Sequence, residues 1–216
     1  MKKTNKGIRK MSVNFDNLDN IQIDVLREIG NIGSGNAATA LAKMLNKRVN
    51  MDVPQVKVLQ FQEVSDILGG AEIPVVGLLL RVTGDISGSI MFILEKKAAG
   101  VLVNILMGKP LDEIVVFDEI AISALKEVGN ILAGSYLSAL STLTNLNILP
   151  SVPELAIDMA GAIISVPAIE FGKLGDSVLF IETEFSEGST KVVGNFFLVP
   201  DIDSYEVLLK ALGVAN

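Results

Sequence analysis

The chain repeats itself at one fixed offset. Asp24, Glu28, Asn31 and Pro54 are answered by Ser123, Glu127, Asn130 and Pro153, each 99 residues further on. Leu26, Gly30, Ile32 and Gly35 return at the same offset as Leu125, Gly129, Ile131 and Gly134, so a packing surface is repeated together with the polar residues. A fixed period constrains architecture more than any local propensity, because each unit must bury its apolar face against its neighbour. With a period near half of the 216 residues, the expectation is two matched halves facing one another, each carrying the same polar set.

Both halves read in the same order. A long helix over 19–45, behind the capping candidates Asn17 and Asp19, carries an apolar stripe of Ile21, Val25, Ile29 and Ile32. Its copy spans 118–145. An extended stretch holding the motif proline follows each helix. Strands over 74–81 and 86–94 then flank Thr83-Gly84-Asp85, and strands over 177–184 and 191–199 flank Glu187-Gly188; both read as hairpins. Helices over 96–107 and 202–212 close the halves, the second behind Asp201. The predicted fold is α+β: an internally duplicated pseudo-two-fold domain, with a largely antiparallel sheet and two long helices side by side. Residues 1–15 form a basic leader, and 16–216 form one domain made of repeats over about 17–110 and 116–214.

Composition limits the chemistry. With half of its residues apolar, the chain has enough material for a substantial core. It has no Cys and no His, which removes disulfides, thiolate zinc sites, cysteine nucleophiles, Ser-His-Asp triads and histidine phosphotransfer. Chemistry must come from carboxylates, amides, hydroxyls, Lys and Arg.

Five of the eighteen basic residues fall in the first ten, at Lys2, Lys3, Lys6, Arg9 and Lys10. From Met11 onward, thirteen Lys and Arg face twenty-five Asp and Glu, a balance of −12. So acidic a body argues against nucleic acid as a ligand. The leader lacks the apolar stretch of a secretory signal; it reads as a solvated start, with Met11 an alternative initiator. Between Glu127 and Glu154 no residue is charged. Scattered Asn, Ser and Thr interrupt that run, Pro150 and Pro153 break it, and its counterpart in the first half holds Lys43, Lys47, Arg48 and Asp52. The expectation is a more buried copy of the same helix and no membrane insertion.

On their helices, Glu28 and Asn31 are neighbours three apart, with Asp24 one turn earlier. The glycines Gly30, Gly33 and Gly35 weaken a helix interior by ~0.5–1 kcal/mol each, which implies that something approaches closely there. An amide beside a carboxylate has no nucleophile of its own. It can hydrogen-bond a water and hold it in line with a phosphoryl or acyl centre, while the carboxylate grips a cation on a partner. Phosphoryl transfer suits such a pair, because positioning and electrostatics carry most of that catalysis. A single Glu-x2-Asn is also what any solvated helix face carries; it is the repetition in register that favours function.

The segments Leu26-Arg-Glu-Ile-Gly-Asn-Ile-Gly-Ser-Gly-Asn-Ala-Ala and Leu125-Lys-Glu-Val-Gly-Asn-Ile-Leu-Ala-Gly-Ser-Tyr resemble the signature helices of the CheC/CheX/FliY family of chemotaxis phosphatases. The family pattern of Asp or Ser, Glu, Asn and a distant Pro is matched at both sites, and the resemblance covers nearly everything after about residue 15. It implies hydrolysis of the aspartyl phosphate of the response regulator CheY in the bacterial cytoplasm. Glu28, Asn31, Glu127 and Asn130 would be the catalytic residues, and Asp24, Pro54, Ser123 and Pro153 would support them. It also implies that Glu28 and Glu127 contact a Lys of CheY, that Mg²⁺ is supplied in the CheY active site with no metal bound by this chain, and that the deamidase CheD binds. Two motif copies fit the CheC branch better than CheX, which keeps one, and the end at Asn216 leaves no room for the switch domain of FliY. A CheD-binding regulatory module with weak phosphatase activity is the alternative.

One apolar segment is left over. From Met159 to Ile169 no residue is charged, whereas the first-half counterpart holds Glu63 and Asp66. Gly161 and Pro167 argue against a long helix there. A core helix is the default reading of so uncharged a run; set against it, the expectation is a short irregular surface element whose Ile163 and Ile164 dock CheD, and collapse of the fold on changing both to Asp would establish the core reading.

Overall fold

The computed structural model describes residues 20–46, 48–171, 177–187 and 190–213. The capping candidates Asn17 and Asp19, the basic leader and the Gly188 turn lie outside the described residues. In the first repeat, α1 (Asn20–Leu45) leads into β1 (Asn50–Gln60), the short α2 (Val64–Ile67), the hairpin of β2 (Pro74–Gly84) and β3 (Gly88–Glu95), and α3 (Lys96–Met107). The second repeat runs α4 (Glu119–Thr144), β4 (Ile148–Pro150), β5 (Glu154–Met159), α5 (Ala160–Phe171), β6 (Ser177–Glu187), β7 (Thr190–Pro200) and α6 (Ile202–Ala211).

The strand order is β1-β6-β7-β3-β2-β4, with β5 also on β2, and each described pairing is antiparallel. Exchanging the repeats leaves that order unchanged, which puts the pseudo-two-fold axis between β3 and β7. It also reveals an exchange of strands. β1 pairs with β6 of the second repeat, and β4 and β5 pair with β2 of the first, so each hairpin takes its third strand from the other half.

Alternation along the central strands divides the interior into two layers. Phe92, Ile181 and Phe196 face a core shared with α1, α3, α4 and α6. Their neighbours Met91, Ile93, Phe180 and Phe197 face a second core closed by Val64 of α2 and by Ala160, Ile163 and Ile164 of α5. β3 is therefore buried on both faces along almost its whole length, which explains its unbroken apolar run Ile90 to Leu94.

The second core corrects one expectation. The segment after Met159 is a helix, and Ile163 and Ile164 are buried at 8% and 7% exposure, not displayed on an irregular surface element. Gly77 of β2 makes room for Ile163, since a β-carbon there would lie 2.5 Å from that side chain. A helix of this length tolerates Gly161 and Pro167 because its stability comes from the apolar face it lays on the sheet rather than from propensity.

α1 lies against α4, and the helical glycines divide by role. A β-carbon at Gly33 would come 2.3 Å from the Tyr136 ring, so the tyrosine occupies the notch that the glycine leaves. A β-carbon at Gly30 would meet Val56 at 3.2 Å and Val53 at 3.3 Å, and one at Gly129 would meet Leu78 at 2.7 Å. These two repeated glycines set each long helix close on its sheet. Gly35 and Gly134 face open space, with nothing within 4 Å, so the inference of close approach fails for them. Tyr136 reaches past the crossing to share a 2.9 Å hydrogen bond with the fully buried Thr183 of β6. At the other end Asp118 caps α4 by accepting from the Ala121 amide at 2.9 Å. Asp201 stands at the start of α6, but its carboxylate accepts from the Ser87 hydroxyl at 2.7 Å instead of from its own helix.

Gly33→Val should cost about 1–3 kcal/mol by overpacking against Tyr136, whereas Gly35→Ala should add about 0.5–1 kcal/mol; denaturant midpoints of the two variants should move in opposite directions. For Tyr136, burial pushes the phenol from 10.0 up to about 12, against a smaller downward effect of the Thr183 hydrogen bond. Between those pH values the unfolded chain has released a proton that the folded chain retains, so stability should fall as pH rises through that window. Tyr136→Phe should cost about 1–3 kcal/mol at neutral pH by leaving Thr183 without its partner, and its unfolding midpoint should show a shallower decline above pH 10.

Candidate active site

The inward faces of α1 and α4 carry Leu26, Ile29, Ala37 and Leu41 and their counterparts Leu125, Val128, Tyr136 and Leu140, all buried. That anchoring fixes what faces out. Asp24, Glu28 and Asn31 are exposed along one ridge of α1, and Ser123, Glu127 and Asn130 along the matching ridge of α4. Side chains three and four apart stand beside one another on a helix, so each ridge presents its carboxylate and amide together.

At the second site the structure brings the distant proline to the ridge. Ser123, Lys126, Glu127 and Asn130 line a shallow groove of about 340 Å³ with Pro150, Ser151, Val152 and Pro153. The opposite wall is the break between β4 and β5, where the chain leaves the sheet for three residues. Ser151 fixes that wall to β2: its amide donates to the Arg81 carbonyl at 2.8 Å, and its hydroxyl accepts from the Arg81 amide at 2.9 Å. Pro153 is buried and Val152 is 81% exposed.

The first site is built differently. β1 runs without interruption from Asn50 to Gln60, with only a register shift between Asp52 and Gln55 against β6. Val53 is half-buried beneath α1 next to Gly30, and Pro54 is exposed. Valine and proline have thus traded faces relative to Val152 and Pro153. Side-chain direction alternates along a strand, so a local change of register suffices to invert it. The charges differ as well. Arg27 is tied to Asp24 in a 2.5 Å ion pair on the first ridge, while Ser123 stands where that carboxylate would be on the second.

Sequence reasoning therefore found the ridges and the second-site proline, and it passed over Lys126, Ser151 and Val152. The offset of 99 maps these onto Arg27, Asp52 and Val53; the cation and the valine keep their character, and the one change, from Asp52 to Ser151, was the available signal. Among the described residues no group of three Asp or Glu side chains gathers as a metal site, and no helix is long and apolar enough to cross a membrane. A larger cavity of about 650 Å³ lies elsewhere, between α3 and the inter-repeat linker at Ile114, Val115 and Phe117, and none of the repeated polar residues lines it.

Two solvent-facing helices of one duplicated α+β domain, each presenting a Glu and an Asn, define the class. The chain belongs to the CheC-like family, whose description matches residues 21–58 and again 120–157, two segments that start and end 99 residues apart. Among curated proteins it is 42% identical to the CheY-P phosphatase CheC of Bacillus subtilis, over 93% of this chain and 98% of that one. It is also 31% identical to the flagellar motor switch phosphatase FliY of the same organism, over 66% of this chain but only 37% of FliY. The crystal structure of Thermotoga maritima FliY superposes with a TM-score of 0.70 at 26% identity, covering 92% of this chain and 99% of that one.

Proposed function

We propose that this protein hydrolyses the aspartyl phosphate of the response regulator CheY. The observation that carries the reading is the second-site groove, where Glu127 and Asn130 of α4 meet Pro153 from the end of a broken strand, with the same residue types repeated on α1. The similarity to the Bacillus subtilis phosphatase over almost the full length of both chains supports it.

On this reading the carboxylate of Glu127, and that of Glu28 at the first site, grips a cationic side chain of CheY and sets the helix ridge against the phosphorylation pocket. The amide of Asn130 or Asn31 then hydrogen-bonds a water on the face of phosphorus opposite the aspartyl oxygen. Water oxygen bonds to phosphorus, the bond from phosphorus to the aspartyl oxygen breaks, and the products are inorganic phosphate and a free carboxylate, the water protons leaving to phosphate and solvent. Mg²⁺ belongs to the CheY pocket and neutralises charge there. Asp24, Ser123, Pro54 and Pro153 shape the ridges. Residues 16–216 act as one domain in the cytoplasm, without nucleic acid or membrane insertion. CheD binding belongs to the same reading, but Ile163 and Ile164 hold α5 on the sheet from beneath and are not its contact.

The test is decay of phosphorylated CheY. Replacing both Asn31 and Asn130 with Ala should bring the decay rate back to that of CheY alone, a loss of at least about tenfold, while the thermal unfolding midpoint stays put. A double variant that still clears the phosphate at the normal rate refutes the water-positioning role. Titration of this protein alone with Mg²⁺ in a calorimeter should show no micromolar site, since each ridge offers too few oxygen ligands for a dedicated cage.

A further inference from the structure

The two ridges differ by one unit of free charge, and the difference lies beside the reacting groups. Positions 123, 126, 127 and 130 follow one another down a single face of α4, at the spacings that make helical neighbours. Lys126 is half-buried and lines the groove together with Glu127 and Asn130; it is the one cation among the groove's lining residues. Among the described residues no ion pair engages it. At the first site the equivalent cation, Arg27, is held 2.5 Å from Asp24, so its charge is cancelled where it stands. The first ridge therefore presents the net charge of Glu28 alone, and on the second Lys126 balances Glu127.

That difference matters because of what surrounds it. From Met11 onward the chain carries a balance of −12, and an aspartyl phosphate within a cluster of carboxylates is strongly anionic. Such partners repel one another unless a local positive potential meets the anion at the point of contact. A groove with one wall of packed protein screens less than an open surface, so a single cation there acts at close range.

We infer that Lys126 is a recognition residue for the phosphorylated partner, that Asp24 withholds the equivalent charge at the first site, and that the second site consequently carries the larger share of turnover. This rests on the phosphatase reading above and deepens it.

The experiment isolates each site and uses phosphorylated CheY as substrate. An Asn31→Ala variant leaves the second site working, and an Asn130→Ala variant leaves the first; the former should keep the higher kcat/KM. In the Asn31→Ala protein, Lys126→Gln should lower kcat/KM about five- to tenfold, chiefly by raising KM, and flatten its dependence on ionic strength. Lys126→Arg should restore both. Ser123→Asp, which places a carboxylate one turn before Lys126 as Asp24 stands before Arg27, should reproduce the Lys126→Gln loss with Lys126 still present. Unchanged kinetics and salt dependence in both Lys126→Gln and Ser123→Asp overturn the inference, as does a fall in kcat at constant KM. Neither result touches the phosphatase reading, which fails if the unaltered protein does not accelerate the decay of phosphorylated CheY.

Discussion

The exchange of strands between the repeats is the constraint on which the rest of this molecule depends. β1 has its hydrogen-bonding partner in β6, and β4 and β5 have theirs in β2. Neither repeat can therefore satisfy the backbone of its own first strand, and an unpaired edge there would expose a row of amide and carbonyl groups. The central β3 and β7 pair across the pseudo-two-fold axis and are buried on both faces by the two cores. Folding one half alone would leave those faces open. A duplication of this kind gives one cooperative unit, and the relation between the two ridges is fixed by the sheet rather than by a linker.

The long helices inherit their positions from that sheet and adjust them through small residues. Gly30 and Gly129 let α1 and α4 sit close on β1 and β2, and Gly33 admits Tyr136 at the crossing. The duplication did not keep the crossing symmetric. Leu132 stands where Gly33 does, and Ala37 where Tyr136 does, so the large side chain is supplied once, from α4. Its hydroxyl is anchored to Thr183 on β6, which ties the crossing to the strand that β1 borrows. Packing at the helix interface and strand pairing in the sheet are thus joined through one buried phenol, and both exposed ridges are set by that joint.

Much of this was legible because periodicity and repetition survive in the sequence. The two long helices, both hairpins and the closing helices were readable from apolar spacing and turn residues, and the polar ridges from the shared offset. What escaped the sequence was decided by partners distant along the chain. A core helix at α5 is the default reading of the sequence and is set aside because Gly161 and Pro167 speak against it locally; the β2 face opened by Gly77 is what admits Ile163. The exchange of first strands was hidden for the same reason: both halves contain a strand of the right length, and nothing local says which hairpin it joins. Asp201 looked like a helix cap until Ser87, more than a hundred residues away, claimed its carboxylate. Gly35 and Gly134 misled in the opposite sense, since a repeated glycine need not have a neighbour.

The same logic explains how one duplicated motif comes to make two different sites. β1 is continuous but shifts register between Asp52 and Gln55, so Val53 and Val56 both face Gly30 of α1 and Pro54 is left outside. In the second repeat the strand is interrupted between Pro150 and Glu154, and Ser151 replaces the ladder with two hydrogen bonds to Arg81. Freed from the pleat, the chain can fold Pro153 inward and turn Val152 out beside Asn130, and the gap between loop and helix becomes the groove. The two prolines there are suited to the task, because they hold an extended backbone without demanding the amide hydrogen bonds of a ladder. A polar pair needs only a helix to display it. A groove needs a second wall, and that wall exists where the strand was broken and latched.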